Sequence, residues 1–156
     1  GSAPFNFDES LVEPWMEQET TIPDPPELDS LHELRADGLP PGFRLFLDID
    51  RITVDPEDGI IRLWMMLRSS AGHENISYEG YRCITGEYRV YAYANLQRDP
   101  PVRALTRATW RKARGERSTY YRKELLRHYL CGLRGARPPI EIQQAVRRAE
   151  EKIRGQ

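Results

Sequence analysis

The sequence predicts one α+β domain over residues 30–156, in which an antiparallel sheet of about five or six strands packs against two C-terminal helices. Three observations lead to this fold class. Two runs rich in β-branched and aromatic residues, within residues 74–95, flank the polar break Thr85-Gly86, as in a hairpin. Apolar residues recur at helical spacing toward the C-terminus, and prolines recur through residues 1–29. The length of 156 residues, with 39% apolar and 30% charged residues, suits a single domain.

Residues 1–29 are predicted to form an extended, acidic, proline-rich arm. They contain eight acidic residues and no basic residue. Five prolines break any helical pattern: Pro4, Pro14, Pro23, Pro25 and Pro26. Apolar anchors for docking on the domain are also present: Phe5, Phe7, Leu11, Trp15 and Met16. We expect Trp15 to be the main anchor. Gly1-Ser2 is typical of a protease-cleavage scar, which leaves room for a signal or anchor segment before it.

Short strands are predicted at residues 31–35 and 43–47, joined through the turn at Pro40-Pro41. Residues 60–69 form an apolar run typical of a central strand covered on both faces, which we expect to pair with residues 74–83. Between them, five acids within residues 48–58 suggest a calcium loop, but their spacing does not match one. A turn at residues 55–59 explains these acids better.

The C-terminal third is predicted to hold two helices. Residues 102–110 suit either a last strand or a helical turn, and we favour a strand near Trp110 followed by a basic loop over residues 111–117. A first helix, capped by Ser118, has one apolar face: Tyr121, Leu125, Leu126, Tyr129 and Leu130. A second helix begins at Pro138-Pro139 and has the stripe Ile142, Val146, Ala149 and Ile153.

The two cysteines, Cys83 and Cys131, are too few for a zinc site, and the sequence has no Cys-x-x-Cys motif. A disulfide between them would stabilise the fold by roughly 4 kcal/mol in the chain-entropy model. It would also indicate an oxidising compartment. The alternative is two separate buried thiols.

Four runs carry a resemblance to a known family: residues 69–83 (SSAGHENISYEGYRC), 87–95 (EYRVYAYAN), 109–113 (TWRKA) and 120–131 (YYRKELLRHYLC). Together they resemble the cryptic-neisserial-protein-like family of bacterial envelope proteins, over roughly residues 13–154. The most specific piece is residues 74–83 with Cys131, because these positions match the cysteine pair that the family implies. The resemblance implies a periplasmic protein that carries an export or lipoprotein signal, with a lipid anchor at its N-terminus as one form. It brings no assigned catalytic residue.

Charge is distributed unevenly along the chain. Residues 101–156 carry fifteen basic and five acidic residues, a net charge of +10, whereas the whole chain has a net charge of −1. One interpretation is that the acidic and basic ends neutralise each other or face solvent separately. The other is an anion-binding surface, with these candidate residues: Arg103, Arg107, Trp110, Arg111, Arg114, Tyr120 and Tyr121. Its expected partner is an anionic envelope component or an acidic protein.

Three functions follow from these features. We favour a non-enzymatic envelope accessory or binding protein. A single-stranded nucleic-acid-binding domain using residues 103–127 is the first alternative, since basic and aromatic residues alternate there. An envelope enzyme is the second, but only Glu79 or Glu87 with His73 or His128 offers an acid/base pair. No metal or cofactor is expected. No membrane-spanning segment is expected either, because the longest apolar run, residues 60–67, is short and contains Arg62.

Overall fold

A computed structural model describes residues 15–114 and 120–155 of the chain. The elements within them follow in this order: β1 (His32–Leu34), β2 (Arg44–Leu47), β3 (Thr53–Val54), β4 (Ile61–Arg68), β5 (Glu74–Arg82), β6 (Glu87–Ala94), β7 (Val102–Ala104), β8 (Arg111–Lys112), α1 (Tyr120–Leu125), β9 (Cys131–Gly132), β10 (Gly135–Ala136) and α2 (Pro139–Arg154). A π-helical segment, Leu126–Leu130, continues α1. No helix in this part of the chain has the length and apolar character needed to cross a bilayer.

Eight strands form one antiparallel sheet, which confirms the predicted fold class. Six follow the order β1-β2-β4-β5-β6-β7, while the two-residue strands β3 and β8 pair with β4 and β6. The β5–β6 hairpin lies at the predicted position, and Gly86, at φ 68°, supplies the left-handed turn conformation that favours glycine. Strands β9 and β10 form a separate short hairpin that the sequence pattern did not indicate.

One face of the sheet packs against the helices. Leu63 and Met65 of β4 lie in the same buried cluster as Tyr121 and Leu125 of α1. Ile142 and Val146, four residues apart on α2, complete this core as their helical spacing predicts. Each such aliphatic side chain contributes about 1.5–3 kcal/mol through burial.

The opposite face of the sheet packs against the chain that precedes β1. Trp64 and Met66 alternate with the helix-facing residues of β4 and form a second buried cluster with Tyr78. Ile22 and Leu28 pack on this cluster from the arm. Because both faces of β4 are covered, its apolar run is nearly continuous, as predicted.

A β-bulge in β6 sets the direction of Tyr91. Tyr78 pairs with Ala92 and Glu79 pairs with Val90, so Tyr91 is the additional residue on β6. A Cβ atom on Gly80 would lie 2.5 Å from the Tyr91 hydroxyl oxygen. Because of the bulge and the missing side chain at Gly80, the Tyr91 ring can lie over Gly80 on the face of the sheet that contacts the arm.

The region around Trp110 differs from its prediction. The expected last strand is divided into β7 and β8, and β8 lies inside the segment predicted as a basic loop. Backbone pairing explains the difference, because the Ala113 N–H donates to the Gly86 carbonyl at 2.9 Å beside the pairing of β8 with β6. The predicted Ser118 cap and the anchors Phe5, Phe7 and Leu11 lie outside the described residues. The boundary between arm and domain at residues 29 and 30 stays a prediction.

Candidate anion-binding cleft

A gap at the edge of the sheet forms a cleft on its helix-packed face. Strand β6 pairs with β7 through Ala92 and Ala104, and with β8 through Tyr88 and Arg111. Residues 105–110 span the distance between these two short partners. The resulting opening has a volume of about 440 Å³. We call it the sheet-edge cleft, and its lining is Tyr88, Val90, Tyr93, Leu105, Thr106, Arg107, Ala108, Thr109, Arg111 and Arg122.

Among the described residues, this lining has three arginines and no acid. Arg107 and Arg111 are exposed, and neither forms an ion pair within residues 15–114 and 120–155. Thr106 and Thr109 add hydroxyl groups between them, while Tyr88 and Tyr93 provide aromatic wall area. The described part of the cleft therefore presents uncompensated positive charge beside polar and aromatic surface.

The third arginine, Arg122, is held by a buried carboxylate. Its Nε and Nη2 atoms donate to Glu79 Oε1 at 2.9 Å and Oε2 at 2.8 Å. Ser77 and Tyr81 donate to the same carboxylate at 2.6 and 2.8 Å. The guanidinium group also lies 4.3 Å from the centroid of the Tyr88 ring. Arg122 therefore has a fixed position at the floor of the cleft.

Glu79 is ionised in this environment. Burial in the sheet opposes its charge, but the Arg122 charge and the hydrogen bonds from Arg122, Ser77 and Tyr81 outweigh burial and lower its pKa. Burial, followed by the Glu79 charge, raises the pKa of Tyr81 well above its ordinary value. Glu79 thus acts as an acceptor that orients Arg122.

The predicted binding residues separate into different environments. Arg107 and Arg111 line the cleft, and Arg103 is the cross-strand neighbour of the lining residue Tyr93. Tyr121 is buried in the core, as its place in the helical stripe required. Tyr120 packs beside Gly38, where an added Cβ atom would meet its ring. The exposed Arg114 follows β8 and is not part of the lining.

Trp110 lies toward the opposite side of the sheet, where it contacts the arm. Its indole Nε1 donates to Glu17 at 3.2 Å, and its ring meets the Trp15 ring edge-on at 6.1 Å between centroids. Trp15 in turn donates from Nε1 to the Asp58 carbonyl at 3.0 Å and remains 38% exposed. Arg82 stacks on the Trp15 ring at 3.6 Å from its centroid. Trp15 is therefore an anchor of the arm, as predicted from its size and position.

Glu17 occupies a basic site on this arm-packed face. Its carboxylate accepts from Arg62 at 3.1 Å, from Arg89 at 2.7 Å and from the Tyr91 hydroxyl. Burial raises the pKa of Glu17, but the hydrogen bonds from Tyr91 and Arg62 and the charge of Arg89 outweigh burial and lower the pKa. The described part of the arm is thus bound on the face of the sheet opposite the cleft.

Three of the five acids that suggested a calcium loop form ion pairs: Asp48, Asp50 and Asp58. Asp58 accepts from Arg62 at 2.8 Å, from the Ile60 N–H at 2.9 Å and from the Gln18 N–H at 2.9 Å. Asp48 accepts from Arg51 at 2.7 Å. Across residues 15–114 and 120–155, no group of three or more His, Cys, Asp or Glu side chains is arranged to hold a metal ion.

The predicted binding residues did not include Tyr88, Tyr93 or Arg122 of the cleft lining, although Arg122 lies within the basic segment 103–127 considered for nucleic acid. The strand pairing that brings β8 beside Tyr88 joins residues more than twenty positions apart and has no local sequence signal. Arg122 had one signal, since it directly follows Tyr121 of the predicted apolar helix face.

The remaining candidates for acid/base chemistry are separated. His73 is exposed in the β4–β5 turn and His128 is exposed on the π-helical segment. Within the part of the chain that the structure describes, neither imidazole hydrogen-bonds to Glu79 or Glu87. Glu87 instead lies 3.8 Å from Arg82.

The covalent framework matches its prediction, and one comparison with known proteins matches the chain. Cys83 and Cys131 form a disulfide with their Cα atoms 5.7 Å apart, which joins the end of β5 to the chain after the π-helical segment. Neither a curated protein nor a solved structure matches the chain. A family model, that of the CNP1-like family, matches residues 11–149. The chain therefore belongs to the CNP1-like family.

Proposed function

We propose that this protein is a non-enzymatic binding protein of the bacterial envelope that holds an anionic ligand in the sheet-edge cleft. The observation that carries the proposal is the pair Arg107 and Arg111, two exposed guanidinium groups in an opening whose described lining has no carboxylate. Arg122 adds a third guanidinium group at the floor. Guanidinium groups bind carboxylates and phosphates through paired hydrogen bonds, so these are the anions that the cleft suits.

The size and lining of the cleft favour a segment of a polymer or a small molecule. A volume of about 440 Å³ is in the range of small-ligand sites. The Tyr93 ring and the Thr106 and Thr109 hydroxyl groups suit a ligand that combines an anion with a ring bearing hydroxyl groups. An acidic saccharide of the envelope has this chemistry. We therefore expect an acidic or phosphorylated saccharide to bind more tightly than a simple anion.

Two features support the compartment and the non-enzymatic role. The Cys83–Cys131 disulfide is compatible with an extracytoplasmic location, for which we propose the periplasm. The buried Glu79, which is the strongest carboxylate candidate for proton transfer, is engaged by Arg122, Ser77 and Tyr81. A lipid anchor at the N-terminus, implied by the family resemblance, would place the cleft near the membrane.

Single-stranded nucleic acid is the second candidate ligand, because the cleft also suits a phosphate beside an aromatic ring. The aromatic residues of the basic segment argue against it. Tyr121 is buried, Tyr120 packs beside Gly38 and Trp110 packs against the arm. They do not form a continuous stacking surface with the cleft arginines. Nucleic acid should therefore bind through phosphates alone and without preference for exposed bases.

Fluorescence anisotropy with four labelled probes tests the proposal: polygalacturonate, polyphosphate, a single-stranded oligothymidylate and neutral dextran. We expect the acidic polysaccharide to bind most tightly and dextran not to bind. Affinity should fall as salt rises, since exposed charges are screened over about 8 Å at physiological ionic strength. Tightest binding of oligothymidylate would favour the nucleic-acid alternative. Equal binding of dextran would contradict an anion site.

A further inference from the structure

Two turns of the fold expose large aliphatic side chains to an unusual degree. Ile84, in the turn between β5 and β6, is 87% exposed, and Leu133, in the turn between β9 and β10, is fully exposed at 108%. They are the two most exposed large hydrophobic residues of the described chain. Turn positions of this kind are usually taken by small or polar residues. Gly86 and Gly135 supply the positive φ angles in these turns, so turn geometry does not select an aliphatic residue at position 84 or 133.

The disulfide holds the two turns next to each other. Cys83 directly precedes Ile84, and Cys131 lies two residues before Leu133. The Cα atoms of the two cysteines are 5.7 Å apart. The disulfide thus joins two turns that are distant in the sequence. We call Ile84 and Leu133 with their two turns the stapled tips. Two highly exposed aliphatic side chains in turns that a disulfide joins differ from the scattered single ones that are ordinary on protein surfaces.

Positive charge surrounds the stapled tips. Arg134 follows Leu133 directly, and Arg137 lies along Gly132 at the base of the same hairpin. On the other tip, Lys112 donates from Nζ to the Thr85 carbonyl at 2.5 Å. The sequence has no acid over residues 100–115 or 125–140. Among the described residues, the acid Glu87 lies near this region, where it pairs across the strands with Lys112 and approaches Arg82 to 3.8 Å.

A basic groove continues from the stapled tips along the helices. It has a volume of about 590 Å³ and runs between α2 and the π-helical segment. Arg137, which borders the Leu133 hairpin, also lines this groove with Arg148 and Lys152. Tyr129 and Ile153 give it a partly apolar floor. Cationic rims over apolar floors suit the phosphate groups of lipids, whose other end is apolar.

We infer that the stapled tips dock on an anionic lipid bilayer. Ile84 and Leu133 enter the interfacial region, while Lys112, Arg134 and Arg137 contact lipid phosphates. Neither part alone binds a membrane firmly, since stable attachment of a peripheral protein generally combines apolar insertion with electrostatic attraction. The protein has both parts in or beside the two turns that the disulfide joins. This surface is distinct from the sheet-edge cleft and does not depend on what the cleft binds.

Co-sedimentation of the full chain with lipid vesicles tests the inference. We expect sedimentation with mixed phosphatidylcholine–phosphatidylglycerol vesicles and not with vesicles of phosphatidylcholine alone. The double variant Ile84→Ser with Leu133→Ser should lower the bound fraction at least roughly tenfold, because it removes the inserted part. Met16→Ser is the control, since Met16 is the next most exposed large apolar residue of the described chain at 72%, and it should bind as the parent does. All variants should keep the melting temperature of the parent.

Further measurements distinguish a bilayer from other binding partners. Inorganic phosphate should not release the protein from vesicles at equal ionic strength, and Arg107→Gln, a change in the cleft that adds no negative charge, should still sediment. Equal sedimentation of the parent and the Ile84→Ser, Leu133→Ser variant would overturn the inference. Release by inorganic phosphate would overturn it in favour of free phosphate in the groove. A dimer in sedimentation velocity that the tip variant loses would overturn it in favour of a second copy of the chain.

Discussion

Glu79 and Arg122 form a two-point ion pair that joins the first helix to the centre of the sheet. The two N–O distances are 2.9 and 2.8 Å, and Glu79 is only 1% exposed. Each charge compensates for the hydration that the other loses on burial. The pair also holds Arg122 in the lining of the sheet-edge cleft. It therefore links the stability of the fold to the geometry of the proposed site.

Breaking this ion pair from the arginine side should destabilise the protein strongly. Arg122→Met leaves the Glu79 carboxylate buried without its cation, which typically costs about 3–5 kcal/mol. The double variant Glu79→Met with Arg122→Met should recover part of that loss, because no buried charge remains. Urea unfolding followed by circular dichroism measures both. A single variant within about 1 kcal/mol of the parent would show that water reaches the carboxylate.

Stability should decrease in acid because several carboxylates have lowered pKa values in the folded state. For Glu79, Glu17 and Asp58, hydrogen bonds and arginine charges outweigh burial and lower the pKa. Such groups stabilise the fold above their unfolded pKa, and this contribution is lost as pH falls through the folded pKa. We expect a nearly constant free energy of unfolding from pH 7 to about pH 5 and a fall below about pH 4.5.

Urea midpoints across this pH range check the prediction. Glu17→Gln provides the comparison, since it removes one of the three carboxylates and should make the acid-induced fall shallower. If the free energy of unfolding of this variant falls as steeply in acid as that of the parent, Glu17 does not contribute to the acid sensitivity. Stability that rises on acidification would contradict the lowered pKa values as a set.

Removing the Trp15 side chain should weaken attachment of the arm without unfolding the domain. Trp15 bonds to the Asp58 carbonyl and packs against Arg82 and Trp110, but it remains partly exposed. Trp15→Ala should therefore cost about 1–2 kcal/mol. Thermal unfolding measures this, with Met16→Ala as the control because Met16 is mostly exposed. Equal melting temperatures for the parent and Trp15→Ala would show that the arm contributes nothing.

The disulfide should make a large contribution to stability. Cys83→Ser with Cys131→Ser removes a cross-link between residues 48 positions apart, which should cost roughly 4 kcal/mol in the chain-entropy model. Mass measurement of denatured protein with and without a reductant tests the bond itself. Two free thiols in the unreduced protein would contradict the bond and the extracytoplasmic location together.

Local patterns predicted most of the fold. The β5–β6 hairpin followed from β-branched and aromatic runs around Gly86, and α2 followed from the stripe that includes Ile142 and Val146. The same stripe logic placed Tyr121 in the core, although it was also considered a binding residue. A side chain buried in the core is not available to a ligand. Tyr121 is buried because α1 packs directly on the sheet.

Features that depend on long-range pairing were not predictable. The cleft exists because β6 has two short partners with a loop between them, and backbone pairing of β8 with β6 sets this gap. Glu17 binds Arg62, which is 45 positions away in the sequence, and Arg89, which is 72 positions away. The bulge at Tyr91 lies at the same site. The charge count left open whether the acidic arm pairs with the basic C-terminal third. In the described residues, Glu17 of the arm forms ion pairs with Arg62 and Arg89, which belong to the middle of the chain.

The central claim is tested most directly by reversing the two exposed charges of the cleft. Arg107→Glu with Arg111→Glu changes two side chains that have no described ion-pair partner, so the fold should keep its melting temperature. Binding of labelled polygalacturonate should weaken at least roughly tenfold, since each lost contact to a charged group is worth about 1.5 kcal/mol or more. Arg98→Glu with Arg127→Glu is the control, because it makes the same change in net charge at exposed positions outside the cleft lining and should have a much smaller effect. An equal loss in both double variants would mean that only net charge matters, and unchanged binding in the cleft variant would contradict the cleft as the site.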